Sequence, residues 1–368
     1  MFLLNKIIKV LHTEWSDGWG GQEIRIINEM IAVREQGVEV FLACRDHAII
    51  KKKALENNIK VFTLPFKGNA DFKTLFALKK LIKEHSIDII NTHSGKDTWV
   101  GGLAAKSAGA IFIRTRHLSE RIRSSRTNFI NELADYVFTT GESVRTDMIK
   151  YNRIKPEKIK SIPTGVDSDF FDPGNYDKQL CRQKFNLQDN EIAIGIVAVL
   201  RDSKRHDIFL KIANQLKSDF PDKKFKFIIA GGGPEREKIE KIVTDLSLND
   251  DVEMLGHIEN IPELMVALNI FLFTADRREG VPQSVMQALL MNVKTVSTDD
   301  GSTADLYSNN NFLISNPGFN EVYSNTKKMI ENLNNNNFLN KSRDFVVNNF
   351  SKKVATIKIL DVYKSLVE

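Results

Sequence analysis

The run Glu279-Gly-Val-Pro-Gln-Ser-Val-Met-Gln287 joins a carboxylate to a tight turn and the start of a helix. It follows an apolar strand pattern over 270–273, and Val285, Met286, Leu289 and Leu290 predict an amphipathic helix over 283–291. The start of such a helix presents unpaired backbone N–H groups and a positive dipole end, which suit a phosphate. Glu279 would take sugar hydroxyls, and Gln287, one turn into the helix, another polar group of the same ligand. The arrangement fits a sugar nucleotide. Two glycine-rich turns follow other strand patterns. One is Gly18-Trp-Gly-Gly-Gln-Glu23 and the other Gly231-Gly-Gly-Pro-Glu-Arg236. Glycines there let backbone approach a diphosphate, and a tight turn without a ligand explains either one equally well. Neither is a dinucleotide fingerprint. The first lacks the last glycine of G-x-G-x-x-G, and Asp46, the nearest acid, reads as a solvated loop residue.

These residues need strands and helices to position them. Short β-branched runs recur at 7–11, 38–43, 60–64, 87–92, 111–115 and 136–139. A second block has them at 192–199, 225–230, 252–255, 270–273, 294–297 and 312–315. Helix-period segments such as 22–36 and 72–84 lie between them. This alternation predicts an α/β chain of two Rossmann-like, doubly wound parallel-sheet domains. Ligands of such sheets sit beyond the carboxyl ends of the strands, so the expected site is a central cleft that the two domains face. Pro163, Gly165, Pro173 and Gly174 mark the break. The expected domains are 1–170, 171–350, and a C-terminal helix at 351–368 that crosses back to the first.

The 368 residues are 42% hydrophobic and 27% charged, which predicts a globular chain without a membrane span. The apolar start reads as a buried first strand rather than a signal peptide. Cys44 and Cys181 match no metal or redox spacing and read as buried thiols in a reducing cytosol. Through Asp172 the chain carries 27 Lys and Arg against 21 acids; beyond it, 25 against 26. The excess positive charge therefore sits in the first half, where Arg114, Arg116, Arg121, Arg123 and Arg126 crowd one segment. That patch suits a phosphorylated glycolipid, a membrane surface or nucleic acid, and a solvated helix face explains it equally.

Taken in order, the motifs resemble those of the retaining GT-B glycosyltransferases of family 4 (glycosyl transferases group 1), over nearly the whole chain. Gly20-Gly-Gln-Glu23 is similar to the family's Gly-Gly-x-Glu loop. Ala134–Val144 is similar to its strand segment, Ile162-Pro-Thr-Gly-Val-Asp167 to its linker, and Gly231–Arg236 to its Gly-x-Gly-Pro loop. Residues 279–287 resemble its E-x7-E segment, and Asp305 falls where a further acid is common. Three positions depart. Gln287 replaces the second acid, Val199 stands where the family has an arginine, and Thr164 replaces the linker asparagine.

The resemblance implies a GT-B fold and a transferase that moves a sugar from a nucleoside-diphosphate sugar, with retention, to a lipid-linked or surface-glycan acceptor such as lipopolysaccharide. Breaking the sugar–phosphate bond leaves charge on the diphosphate, which Lys204 and Arg201 would clamp, Arg201 substituting for Val199. Glu279 and His117 complete the implied catalytic set. Gly20, Gly21, Gly233, Gly280, Val281, Pro282, Gln283, Ser284 and Gln287 would bind the donor. His93, Arg121, Arg123 and Arg126 would face the acceptor, with a core histidine the alternative for His93 and His12 the weakest of the three histidines. No cofactor and no metal are expected, and Asp299-Asp300 reads as a solvated loop. The implied partners are a nucleotide sugar, a glycan or glycolipid acceptor and an anionic membrane, not nucleic acid. The implied location is cytoplasmic, at the inner face of the cell membrane. A sugar-nucleotide epimerase and a non-catalytic sugar-nucleotide-binding protein remain the competing readings.

Overall fold

The computed structural model describes residues 6–126, 128–276, 280–308, 312–335 and 342–368. The chain divides into two compact units, one formed by 1–165 with 352–368 and the other by 166–351.

The first unit holds a seven-stranded sheet of β1 (Lys9–Glu14), β2 (Glu39–Cys44), β3 (Lys60–Thr63), β4 (Ile89–Thr92), β5 (Ile111–Arg116), β6 (Tyr136–Thr139) and β7 (Ile159–Ser161). Every pairing is parallel, in the order β3-β2-β1-β4-β5-β6-β7. Its helices are α1 (Gly21–Glu35), α2 (Ile49–Glu56), α3 (Phe72–His85), α4 (Gly95–Ala108) and α5 (Glu142–Asn152), with α13 (Lys352–Val367) at the chain end. The second unit has a six-stranded parallel sheet, β10-β9-β8-β11-β12-β13. Its strands are β8 (Glu191–Val197), β9 (Lys224–Ala230), β10 (Val252–Gly256), β11 (Ile270–Phe273), β12 (Lys294–Thr298) and β13 (Leu313–Ser315). Between them run α6 (Lys178–Lys184), α7 (His206–Asp219), α8 (Arg236–Asp245), α9 (Ile261–Ala267), α10 (Gln283–Leu290), α11 (Phe319–Glu331) and α12 (Ser342–Phe350).

A parallel strand covered on both faces needs apolar side chains in succession. Leu11, Ile90, Phe112, Ile194, Ile229 and Phe271 answer to that and are fully buried. Side-chain caps start α3 and α6: Asp71 accepts the Thr74 N–H at 3.1 Å and Asp177 that of Leu180 at 2.9 Å. Helix α4 carries two interior glycines because it lies close against its sheet. A Cβ at Gly101 would meet Thr92 Cγ2 at 2.8 Å, and one at Gly102 the Phe112 ring at 2.6 Å. In the first unit Gly165 rests on Lys352, where a Cβ would come within 2.7 Å of Cα. In the second unit the Val166 N–H donates to the Phe350 carbonyl at 3.0 Å. Both cysteines are buried thiols, and burial pushes Cys44 up to about 12. Among the described residues no helix is long and apolar enough to cross a membrane. The Asn-rich run at 334–337 extends beyond the described residues.

In each sheet the strand order reverses at one place, between β1 and β4 and between β8 and β11. Chain leaving the carboxyl ends there diverges to opposite sides and opens a crevice, the usual ligand position in open α/β sheets.

Candidate functional site

At the switch point of the first unit the strand ends carry polar side chains that are buried. They are His12, Thr13 and Glu14 on β1, His93 after β4, and Arg114 and Arg116 on β5. Three imidazoles form a chain, with His12 Nδ1 2.9 Å from His93 Nε2 and His93 Nδ1 2.9 Å from His117 Nε2. His12 Nε2 is buried without a partner. An N–H there would go unsatisfied, so the proton belongs on Nδ1. His12 then donates to His93, His93 donates to His117, and His117 keeps its own proton on Nδ1. Burial holds all three below the usual histidine range, His12 at about 3; neighbouring imidazoles add to the effect at His93 and arginines at His117. The set is neutral and oriented.

Asp97 holds the frame under these histidines. It accepts from Thr13 Oγ1 at 2.6 Å, from the His93 N–H at 2.9 Å and from the Ser94 N–H at 2.7 Å, which caps α4. Beside it Glu14 accepts from the Ser16 N–H at 2.7 Å and from Gln22 Nε2 at 2.5 Å. The glycine loop enters α1 here, and the Gly20 N–H donates to Glu23 at 2.8 Å. Neither Gly20 nor Gly21 has a positive φ, and a Cβ on Gly21 would meet no atom within 4 Å. The fold itself does not require glycine at 21; the position leaves open space at a helix start.

In the second unit Lys204 lies in a short 3-10 turn, Asp202–Lys204, that follows β8. This loop is tied to the end of β11. Thr274 Oγ1 donates to the Lys204 carbonyl at 2.9 Å, and the Asp276 N–H to the Ser203 carbonyl at 3.1 Å. Arg205 makes the strongest tie, with a bidentate pair to Asp207 at 2.8 and 2.9 Å and a bond to Asp276. It does so at φ 52°, a left-handed conformation unusual for arginine. The Lys204 ammonium stands 5.3 Å from the centre of the Phe273 ring.

Helix α10 begins at Gln283 as predicted, with Pro282 at its N-cap and no side chain capping it. Val285, Met286, Ala288, Leu289 and Leu290 are buried, while Gln283, Ser284 and Gln287 form the polar, accessible stripe. Val281 and Pro282 are buried and Gly280 is half-buried. Glu279 lies outside the described residues. A helix start that no side chain caps leaves backbone N–H groups and a positive dipole end turned to whatever anion reaches it, and the Lys204 loop is anchored to the end of β11, the strand that precedes α10 in sequence.

Residues 19–170 match the profile of Glycosyltransferase Family 4, and residues 177–349 that of Glycosyl transferases group 1. The chain belongs to the GT-B glycosyltransferases of family 4. It is 23% identical over 385 residues to the Escherichia coli UDP-Gal:alpha-D-GlcNAc-diphosphoundecaprenol alpha-1,3-galactosyltransferase, covering 98% of this chain and 97% of the relative. A Campylobacter jejuni alpha-1,4-N-acetyl-D-galactosaminyltransferase, named for a diphosphoundecaprenol-type glycan acceptor, is 27% identical over 86% of this chain and 88% of its own. Among solved structures, Anabaena HepE in complex with UDP superposes with a TM-score of 0.84 at 20% identity, over 97% of this chain and 100% of that one.

Some residues of this glycosyltransferase sit elsewhere than its sequence suggests. Arg114 and Arg116 leave the basic patch: both point into the sheet end, Arg114 donating to the Thr92 carbonyl at 3.2 Å. Arg121, Arg123 and Arg126 are exposed, and Arg121 is bound to Asp147 at 3.0 Å and stacks on Tyr151. His93, expected toward the acceptor, is 1% exposed and lies between His12 and His117 in the imidazole chain. Gly233 has φ +159°, and a Cβ there would sit 2.5 Å from the Leu200 carbonyl oxygen, so packing alone demands that glycine. Gly232 is the open one, with nothing within 4 Å of a Cβ. Asp300 is buried rather than solvated. Arg201 and Val199 are both exposed. Asp46 pairs with Lys51 at 2.7 Å.

Glu14 and Asp97 went unnoticed in the sequence, although Ser94-x-x-Asp97 is a legible capping pattern. Burial first, and then the Asp97 charge, push the Glu14 carboxyl up to about 8 from its usual 4.5. The folded chain therefore keeps a proton that the unfolded chain releases in this window, and stability should fall as pH rises through it. Thermal melts of wild type and Glu14→Gln between about pH 5 and 8.5 check this. The variant should show the flatter slope, and equal slopes would refute the assignment.

Proposed function

We propose that this glycosyltransferase moves a sugar from a UDP-sugar to a glycan carried on a polyprenyl diphosphate, with retention at the anomeric carbon. One observation carries the reading: α10 starts without a side-chain cap after β11, and the Lys204 loop, which follows β8, is anchored to the end of that same strand at the β8/β11 switch point. The diphosphate would lie there, its charge matched by Lys204, with Arg201 as a further cation and Gly232 and Gly280 leaving room for its oxygens. Glu279 would hold donor-sugar hydroxyls, and Gln287, at the ribose, would use an amide where the family has a carboxylate. His117 would present an Nδ1–H to a sugar hydroxyl, its tautomer set by His93 and His12. Gly20 and Gly21 would lie against the donor, and Arg123 and Arg126 on the acceptor side. The acceptor leaves its proton on the departing phosphate oxygen, and no enzymatic nucleophile is assigned.

UDP is the base to test first, since the HepE structure holds it and the E. coli relative is named for UDP-Gal. The lipid diphosphate acceptor follows the names of both relatives. A thermal-shift series over UDP, GDP, ADP and their sugars should give its largest rise with UDP and UDP-sugars, because binding to the folded state raises the melting temperature. No rise with any nucleoside diphosphate would sink the reading.

A further inference from the structure

We propose that Trp19 is a stacking platform for a pyranose ring and so helps to select the sugar handled by this transferase, an inference that rests on the transfer reading for its class of ligand. The chain has three tryptophans. Two of them are covered. Lys96 stands 3.7 Å and Arg45 5.4 Å from the centre of the Trp15 ring, and Trp99 packs edge-on to Phe129 with ring centres 5.1 Å apart. Trp19 is 38% exposed. Among the described residues no aromatic ring or cation covers it, and no acceptor takes its indole N–H. An indole offers a broad apolar face and one hydrogen-bond donor. The C–H face of a pyranose, with hydroxyls around its rim, matches both.

Trp19 differs from a stray surface aromatic in the loop that carries it. This loop leaves β1 at the switch point of the first sheet. Glu14 grips it at both ends, accepting from the Ser16 N–H at 2.7 Å and from Gln22 Nε2 at 2.5 Å. Between them Asp17 pairs with Arg45 at 3.0 Å, and its carbonyl accepts from the Ile49 N–H at 3.3 Å. The Gly18 N–H goes to Ser16 Oγ at 3.1 Å and the Gly20 N–H to Glu23 at 2.8 Å. Both amides are thus engaged inside the loop, and its tip presents the indole instead. The glycines beside Trp19 are not demanded by packing. None has a positive φ, a Cβ at Gly18 or Gly20 would meet its nearest atom at 3.5 Å, and one at Gly21 would meet nothing within 4 Å. Their effect is clearance, since no neighbouring side chain obstructs a flat ligand on the ring. A ring fastened before the ligand arrives loses little freedom on binding. A uracil would stack on an indole too, but the nucleotide is assigned to the start of α10 in the second unit. The sugar is left, and the donor hexose and the acceptor glycan share the same C–H face.

The test combines tryptophan fluorescence with kinetics of the full chain. Emission of the wild type should shift to the blue on titration with a UDP-sugar or with an N-acetylhexosaminyl diphosphate polyprenol in detergent, but not with UDP. Trp19→Phe should abolish the shift. Trp19→Ala should raise the KM of the substrate whose sugar stacks, donor or acceptor, by about tenfold, the weight of one aromatic contact. The rise should fall on KM rather than kcat, because the contact is the same before and during transfer. Melting temperature and stabilisation by UDP should not change, and Trp19→Phe should recover most of the KM. Both KM values unchanged in Trp19→Ala would overturn the proposal. So would a blue shift with UDP alone that Trp19→Phe removes, which would assign the ring to the base. Failure of the transfer reading shows separately, as no stabilisation of the wild type by any nucleoside diphosphate, whereas the acceptor titration reads Trp19 with no nucleotide bound.

Discussion

Lys204→Ala is expected to lower kcat by about a hundred- to a thousandfold, the usual cost of one well-placed charge-stabilising donor, while the fold stays intact. The loop that carries Lys204 is held by other groups. Thr274 binds its backbone carbonyl, Asp276 binds the Ser203 carbonyl, and Arg205 bridges Asp207 and Asp276. Truncation at Cβ leaves all of these in place, so the melting temperature should move by only a few degrees. The loss should appear in kcat as well as in donor KM, because the charge Lys204 meets grows as the diphosphate departs. Arg201→Ala should cost less, since Arg201 is exposed at the loop entry and no bond of the loop depends on its side chain. If Arg201→Ala has no effect, Arg201 does not replace the arginine missing at Val199. Arg205→Ala should act indirectly, loosening the Lys204 loop and raising donor KM.

The three glycines 231–233 should separate folding from binding. Gly231 has φ +144°, and a Cβ there would sit 1.9 Å from the Ala198 carbonyl oxygen. Backbone cannot yield that distance without opening the β8–β9 ends, where the Ala198 N–H donates to the Ala230 carbonyl at 3.0 Å and the Gly231 N–H to the Gly256 carbonyl at 2.7 Å. Gly231→Ala is expected to destabilise the chain by about 3–5 kcal/mol. Gly232 has no positive φ and an open Cβ direction. Gly232→Val should therefore fold with a near-normal melting temperature yet lose the stabilisation by UDP. Calorimetric melts with and without UDP read both effects. Equal destabilisation by the two variants would show that Gly232 is also structural.

The parallel architecture was legible because its strands are runs of Ile, Val and Phe separated by helix-period segments. Strand β7 was not: Ile159-Lys-Ser161 holds one apolar residue, and its place depends on pairing with β6. Helix α12 was hidden likewise, since Phe345, Val346, Val347 and Phe350 stand among polar residues in a short segment after the Asn-rich run, and it packs on α10, far away in sequence. The start of α10 was visible from Gly-Val-Pro followed by apolar residues at helical spacing. What the sequence concealed was the interior beneath the strand ends of the first unit. Arg114 and Arg116 looked like members of a surface patch, although their alternation on a strand puts them on one face. That this face is buried, and that Asp97 and Glu14 meet it, follows from the order β1-β4-β5, which no local pattern encodes. The glycines misled in a similar way. Gly231 and Gly233 are required by the backbone at 198–200, whereas Gly21 and Gly232 are not required by the fold at all, and that freedom is the better mark of a ligand.

The central claim is transfer itself. The direct measurement is incubation of the chain with UDP-sugars and an N-acetylhexosaminyl diphosphate polyprenol, followed by mass analysis of the lipid. The expected product is one hexose or N-acetylhexosamine heavier, formed with stoichiometric UDP, and absent with Lys204→Ala or Glu279→Ala in folded protein. UDP bound or released without a heavier lipid, or near-normal turnover in a folded Glu279→Ala variant, would contradict it.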